Sequence, residues 1–281
     1  MIVWISSYPK SGNTWVRSFL SAYFMTDDGE FKIDNLDYIQ DYPNKQFFNE
    51  KNIKKGEVYK YWEKSQRKIF ENNKVKFLKT HNALISINNH DFTYPQYVLG
   101  IIHIVRDPRN IITSLKNHLS FRTYEECLKF MKNDKAYAFE EQNNNYAKFN
   151  YLSSWKSHYK SWVNNKSYRL LTIRYEDLEI DTYKTFRDIV VFINTICKFN
   201  NRADNKKIIK CIESTNFEKM KKFEENGSFK ESKHKKDSKE KIKFFYLGSK
   251  NNWKNLLNDE IKNNMNEYYR EDLIKFGYEK N

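Results

Sequence analysis

The sequence predicts a single α/β domain with a central parallel sheet flanked by helices, opened by a phosphate-binding strand–loop–helix of P-loop-like design. Three observations carry that prediction. Short β-branched runs alternate with longer segments of helical period along most of the chain. Each run gives way at once to a polar turn, as strands of a parallel sheet do where they pass into helices. No repeat and no linker divides the 281 residues, so residues 1–281 read as one domain.

The elements follow in order. Met1-Ile-Val-Trp-Ile-Ser6 is a short apolar strand, and Ser7 to Asn13 is a turn with one Pro and one Gly. Thr14 to Met25 is a helix, with Trp15, Phe19, Leu20 and Tyr23 on one face and Thr14 as its expected cap. Residues 27–75 are charged and aromatic without a period and read as helices and loops forming a substrate wall. Val75 to Leu78 is a second strand, ending in Lys79-Thr80-His81. Tyr97 to Val105 is the most apolar strand and belongs at the sheet centre. Arg106-Asp-Pro-Arg109 follows it, and Ile111 to His118 is helical. Residues 121–165 are expected to be mainly helical and to complete the acceptor pocket. Tyr168 to Ile173 is a strand, and residues 182–199 and 204–222 are helices. Residues 226–243 are rich in Lys, Ser and Glu, and 226–250 is expected to be a mobile, cofactor-closing loop. A last helix runs from Asp259 to Phe276 and stops at Gly277.

Composition bounds the function. Aromatic residues are 17% of the chain, too many for a disordered segment. The longest apolar run, Val98 to Val105, is interrupted by His103 and falls far short of the ~20 residues of a membrane span. No signal-peptide pattern opens the sequence, and Cys127, Cys197 and Cys211 form neither a metal spacing nor a disulfide framework, so a cytoplasmic protein is expected. The net charge of +14 admits two kinds of partner, a polyanion or a small, highly charged ligand. Residues 205–254 hold 15 Lys against 7 Asp or Glu, so more than half the excess gathers beside the expected closing loop.

The opening strand–loop–helix is built for an anion. Unpaired N–H groups and the helix dipole converge at a helix start. Gly12 lets backbone approach a ligand, Lys10 reaches over it, and Ser11 and Thr14 add hydroxyls. The order differs from the nucleotide-triphosphatase loop, because Lys10 precedes Gly12. Taken alone, the segment also reads as an ordinary βα turn with an exposed lysine. Farther on, Arg106 at a strand end and Ser114 in the next helix lie eight residues apart, a spacing that suits one phosphate. Arg109 reads as a surface or helix-start residue.

Tyr8-Pro-Lys-Ser-Gly-Asn-Thr-Trp15 resembles the 5′-phosphosulfate loop of sulfotransferases that use 3′-phosphoadenosine 5′-phosphosulfate (PAPS). Four later segments extend the resemblance, from Ile2 to about Asn255. It implies that Lys10, Ser11, Gly12, Asn13 and Thr14 hold the phosphosulfate and that Arg106 and Ser114 hold the 3′-phosphate. Tyr175, in Arg174-Tyr-Glu-Asp-Leu178, matches the family's adenine contact. Thr215 and Phe217 match the segment T-S-F-x-x-M, with Asn216 in place of Ser. Trp15 offers a second aromatic face. Gly248 to Asn255 resembles the family's late closing loop, but Tyr246-Leu247 stand where the family has a basic pair. Lys250, or a lysine from 230–243, is expected to supply the missing charge.

The resemblance also implies the chemistry. Lys79-Thr80-His81 matches K-[TS]-H, with His81 as general base, Lys79 near the sulfonate, and Lys10 at the bridging oxygen. A histidine with an ordinary pKa near ~6.5 suits a base at neutral pH. The expected reaction is in-line transfer of a sulfuryl group from PAPS to a hydroxyl or amine of a small-molecule or carbohydrate acceptor. No metal, nucleic-acid or membrane partner is expected. The alternatives are a P-loop-type nucleotide kinase and a basic nucleic-acid-binding protein.

Overall fold

The computed structural model describes residues 1–200, 202–231, 233–234 and 241–280. The opening unit is β1 (Ile2–Ser7) and α1 (Asn13–Met25). Turns, the two-residue β2 (Gln40–Asp41) and α2 (Trp62–Glu71) lead to β3 (Lys76–Thr80). A small hairpin, β4 (Ser86–Ile87) with β5 (His90–Asp91), precedes β6 (Val98–Val105). Next come α3 (Pro108–His118), α4 (Tyr124–Met131), β7 (Tyr137–Gln142), β8 (Asn145–Tyr151) and α5 (Trp155–Val163). β9 (Leu170–Arg174), α6 (Tyr175–Ile180), α7 (Thr182–Cys197), α8 (Asn205–Ser214) and α9 (Phe217–Glu225) follow. The chain ends in α10 (Trp253–Leu256), α11 (Asp259–Tyr268) and α12 (Arg270–Lys275).

The main sheet has the order β2-β3-β1-β6-β9, and every pairing in it is parallel. β1 is buried at all six positions, which is why it reads as apolar without alternation. Its side chains still divide by period two. Val3 and Ile5 pack with Phe19 and Leu20 of α1 and Phe186 and Ile189 of α7. Ile2 and Trp4 pack on the other face with Trp62, Phe92 and Trp162. The sheet is thus covered on both sides, and the C-terminal ends of its strands share one rim.

Several boundaries differ from expectation for local reasons. α1 is capped by Gly12 in the left-handed region (φ 96°), not by Thr14, because the loop turns through the residue without a side chain. α3 begins at Pro108, with Asp107 accepting from the Arg109 N–H at 2.9 Å. The segment 121–165 is not mainly helical: an antiparallel hairpin fills its middle. Asn143 and Asn144 both take positive φ, the geometry of a tight hairpin turn. The alternating burial of Asn145, Ala147 and Phe149 is a strand period. The last helix is broken at Tyr269 into α11 and α12.

Arg109 is a buried hub, only 1% exposed, and not a surface residue. It pairs with Asp107 at 2.8 Å and with Glu279, donates to Asn266 Oδ1 at 3.0 Å, and stacks 4.0 Å from the Trp253 ring. One guanidinium therefore joins the start of α3 to α10, α11 and the C-terminal segment. Arg109→Met leaves Asp107 buried without its cation, and we expect a loss of about 3 kcal/mol in chemical denaturation. A change under ~1 kcal/mol would place the hub's energy in packing alone.

Candidate active site

A cavity of about 780 Å³ opens at the C-terminal rim of the sheet. Open α/β sheets place their ligands there, because strand ends and helix starts converge. All but two of the predicted site residues line this cavity. The exceptions are Ser11, which is buried beneath the loop, and Lys250, which is exposed and outside the wall.

The loop between β1 and α1 is fixed from below. Asn13 donates from Nδ2 to the Ile5 carbonyl (3.1 Å) and to Ser7 Oγ (3.2 Å), so its amide nitrogen ties the loop to β1, while its Oδ1 is buried without a partner. Gly12 lies flat under Tyr175, where an added Cβ would meet Tyr175 Cδ2 at 2.4 Å. Arg106 stacks 3.9 Å from the same Tyr175 ring and donates from Nη1 to the Lys10 carbonyl at 2.9 Å. Burial, reinforced by the Arg106 charge, lowers the Lys10 ammonium to about 7. Two cations held together in this way make a site that an anion would recharge. Ser11 Oγ, Trp15 Nε1 and Arg106 Nε are buried polar atoms without partners in the loop and its wall. Such groups call for a ligand or water.

The closing segment lies on the opposite wall. Asn251 donates from Nδ2 to Ser114 Oγ at 3.1 Å and to the Asn110 carbonyl at 2.9 Å, while Thr113 donates to Asn251 Oδ1. Gly248 (φ 53°) sits on Phe217, where a Cβ would lie 2.6 Å from the ring. Lys230 and Lys243, not Lys250, line the cavity from the expected closing loop, with Asn117 bonded to the Lys243 carbonyl at 3.3 Å. Phe244 and Phe245 were not anticipated. Their N–H groups donate to the two oxygens of Glu224 at 2.5 and 2.9 Å, and both rings pack 5.0 Å from Phe229. Lys10 Nζ donates to the Phe244 carbonyl (3.3 Å) and lies 3.8 Å from its ring. Residues 243–245 of the loop expected to be mobile thus have backbone and ring contacts to the body of the protein. Residues 232 and 235–240 of that loop lie outside the described residues. Trp15 and Tyr175 stand 6.2 Å apart, edge to face, with Phe217 and the buried Thr215 completing the aromatic end of the cavity.

His81 closes the third wall. Its Nδ1 lies 2.7 Å from the Ser7 carbonyl. A carbonyl only accepts, so Nδ1 carries the proton. Burial, then the Lys79 charge, holds His81 well below its ordinary pKa, so the ring is neutral and Nε2 keeps a lone pair. The backbone beneath is clamped by α5. His158 Nε2 donates to the His81 carbonyl at 3.2 Å, and Trp162 Nε1 donates to the Asn82 carbonyl at 3.0 Å. Burial lowers His158 to about 3, so it too is neutral. Lys79 pairs with Asp41 at 2.6 Å across the β2–β3 register. Burial opposes the charge on Asp41, but Lys79, Lys148 and Arg17 outweigh it and hold the carboxyl well below the usual range. Among the described residues, no group of three or more His, Cys, Asp or Glu could hold a metal ion, and no helix is long and apolar enough to cross a membrane.

Residues 2–277 match the family model of the sulfotransferase domain. The chain belongs to the sulfotransferase family. No curated protein sequence matches it significantly. Among solved structures, mouse sulfotransferase SULT7A1 complexed with PAP is 19% identical with a TM-score of 0.60, over 97% of this chain and 84% of that one. Retinol dehydratase with retinol and PAP is 18% identical with a TM-score of 0.60, over 97% and 81%. Retinol dehydratase with androsterone and inactive cofactor PAP is 16% identical with a TM-score of 0.56, over 97% and 80%. These likenesses show the sulfotransferase fold: one α/β domain around a parallel sheet.

The close approach of Gly12 to Tyr175 yields a test of how this sulfotransferase builds its loop. Gly12→Ala is expected to cost about 3 kcal/mol, from the steric clash and the left-handed backbone together. In a Tyr175→Ala background only the backbone part, about 1–2 kcal/mol, remains. Thermal denaturation of the four-variant cycle measures the difference. Equal costs in both backgrounds would show that the ring is not the obstacle.

Proposed function

We propose that this sulfotransferase moves the sulfuryl group of PAPS to a hydroxyl of a small-molecule acceptor, with His81 as general base. The observation that carries the reading is one hydrogen bond. His81 Nδ1 is held by Ser7, three residues before Lys10, so a neutral base and a cation awaiting an anion share one loop. The partnerless Trp15 Nε1 and Arg106 Nε, both in residues of the cavity wall, fit a bound nucleotide. The neighbouring structures described as PAP complexes support the same donor. Retinol and androsterone in two of them support a small hydroxylated acceptor.

Lys10, Thr14 and the loop backbone would hold the phosphosulfate; Arg106, Ser114 and Lys243 the 3′-phosphate; Tyr175, Trp15, Phe217 and Thr215 the adenine. When bound, PAPS supplies the sulfuryl group, and PAP is the product. His81 Nε2 takes the acceptor's proton as the acceptor oxygen bonds to sulfur. Lys10 sets positive charge at the bridging oxygen as its bond to sulfur breaks, and Lys79 faces the sulfonate. Positioning and charge do most of this work. Residues 27–75 and 121–165 supply the acceptor wall, since Asp41, Tyr42, Phe139 and Lys148 line the cavity. The three free thiols suit a reducing compartment, and we place the enzyme in the cytoplasm.

Selective stabilisation tests the donor. PAP at about 100 times its Kd adds roughly 2.7 kcal/mol, or about 5–10 °C in Tm for a chain of this size. ATP with Mg²⁺ and duplex DNA are expected to do far less. A melt shifted only by ATP or by DNA would sink the reading.

The base is tested separately by pH. His81→Asn is expected to lower kcat about 10²–10⁴-fold with PAP affinity intact. Because the folded-state pKa of His81 lies below its ordinary value, the base stays deprotonated on acidification. The acid limb of kcat/KM should therefore fall below about 6.5. Lys79→Met removes a charge that depresses His81, so it moves that limb upward. A limb unmoved by Lys79→Met would assign it to another group.

A further inference from the structure

We propose that the acceptor is a neutral, polyhydroxylated molecule, a saccharide, and not an apolar alcohol; the inference rests on the sulfotransferase reading above. Lys79, Asp41, Lys148 and Glu140 form one continuous chain of alternating charge along the acceptor end of the cavity. Lys79 Nζ is 2.6 Å from Asp41 Oδ1, Lys148 Nζ is 3.4 Å from Asp41 Oδ2, and Lys148 Nζ is 2.8 Å from Glu140 Oε2. All four residues line the cavity. The chain begins two residues from the base and runs outward along β2 and the β7–β8 hairpin.

Charge balance selects the acceptor's charge. The chain holds two ammonium groups and two carboxylates, so an anionic acceptor meets Asp41 and Glu140 while a cationic one meets Lys79 and Lys148. A neutral acceptor meets no repulsion. Hydrogen-bond chemistry selects its groups. Each carboxylate accepts at several lone-pair sites, and each ammonium has three donors. Adjacent hydroxyls on a sugar ring donate to the former and accept from the latter at once. These ions are partly exposed and paired with one another, and an apolar alcohol reaching His81 strips the water that remains on them without replacing its hydrogen bonds, a cost a hydroxyl-rich acceptor avoids. Asn150 extends the polar wall toward the base, since its Oδ1 accepts from Asn82, the neighbour of His81, at 3.1 Å. Phe139, also in the wall and 37% exposed, stacks with Phe149 and lies under the Lys55 ammonium, so it adds a fixed aromatic edge to this polar wall.

The test uses the full chain, radiolabelled PAPS, a panel of neutral mono- to tetrasaccharides, and 2-naphthol and a steroid alcohol as apolar acceptors. The best saccharide is expected to exceed the best apolar alcohol by at least about 100-fold in kcat/KM, because a site built to hydrogen-bond rejects partners that leave it unpaired. The double variant Glu140→Met/Lys148→Met keeps the charge balance and makes the wall apolar. It should lower saccharide kcat/KM about 10–100-fold, raise that of 2-naphthol, and leave PAP affinity within about twofold. With PAP binding intact, a preference for apolar alcohols, no turnover of any saccharide, or a double variant without effect each overturns this inference and spares the sulfotransferase reading. Failure of PAP to bind overturns both.

Discussion

The hydrogen bond from His81 Nδ1 to the Ser7 carbonyl, 2.7 Å long, joins the ends of two adjacent strands and sets the chemistry of both. On one side it fixes the imidazole tautomer, so that Nε2 is the basic atom. On the other it pins Ser7, the last residue of β1, where the chain enters the loop that Asn13 ties back to the strand. The bond works only because β1 and β3 are parallel neighbours in register, with Ser6 opposite Thr80. It also needs the His81 backbone held still, and α5 does this from the far face with His158 and Trp162, one helical turn apart. The sheet, the loop and the helix therefore converge on a single donor–acceptor pair.

The closing segment shows a different solution to a common requirement. Tyr246-Leu247 stand before Gly248, where the resemblance implies a basic pair, and two phenylalanines precede them. Phe244 and Phe245 are held by a carboxylate through their backbone and by Phe229 through their rings. This places a ring and a carbonyl against the Lys10 ammonium. Both are weak partners for a cation beside a phosphate. A phosphosulfate would outcompete them, so the segment satisfies Lys10 in the free protein without holding it against a ligand.

What was legible in the sequence was local. The strand–loop–helix lies within two dozen residues (Ile2–Met25), the Arg106–Ser114 spacing and the Lys79–His81 segment within a dozen, and each carries its own chemistry. Gly12 was readable because only glycine fits under a ring in the left-handed region. Long-range partners were not readable. Arg109 read as a surface or helix-start residue; it does stand in the first turn of α3, but its burial was not readable because its anchors, Asn266, Glu279 and Trp253, lie more than a hundred residues away. β2 has two residues and no period, yet it sets Asp41 opposite Lys79. His158 carried no motif, because its role is to hold a backbone carbonyl. The β7–β8 hairpin had a signal, aromatic alternation around Asn143-Asn144, but it was masked by helical segments on both sides.

The net charge of +14 takes its meaning from this arrangement. A polynucleotide binder spreads its cations along a surface, where each is solvated and near its ordinary pKa. Here the decisive cation is withdrawn from water and pressed against another, so that Lys10 falls to about 7. Such a group gains most from a compact anion that enters the cavity and gains nothing from a phosphate backbone passing outside. Under the proposed function, the lysines of 205–254 would act at longer range, drawing a multiply charged nucleotide toward the cavity. Surface charge would then govern approach, and the buried pair selection. The same division explains how a strongly basic chain can serve a small ligand rather than a polymer.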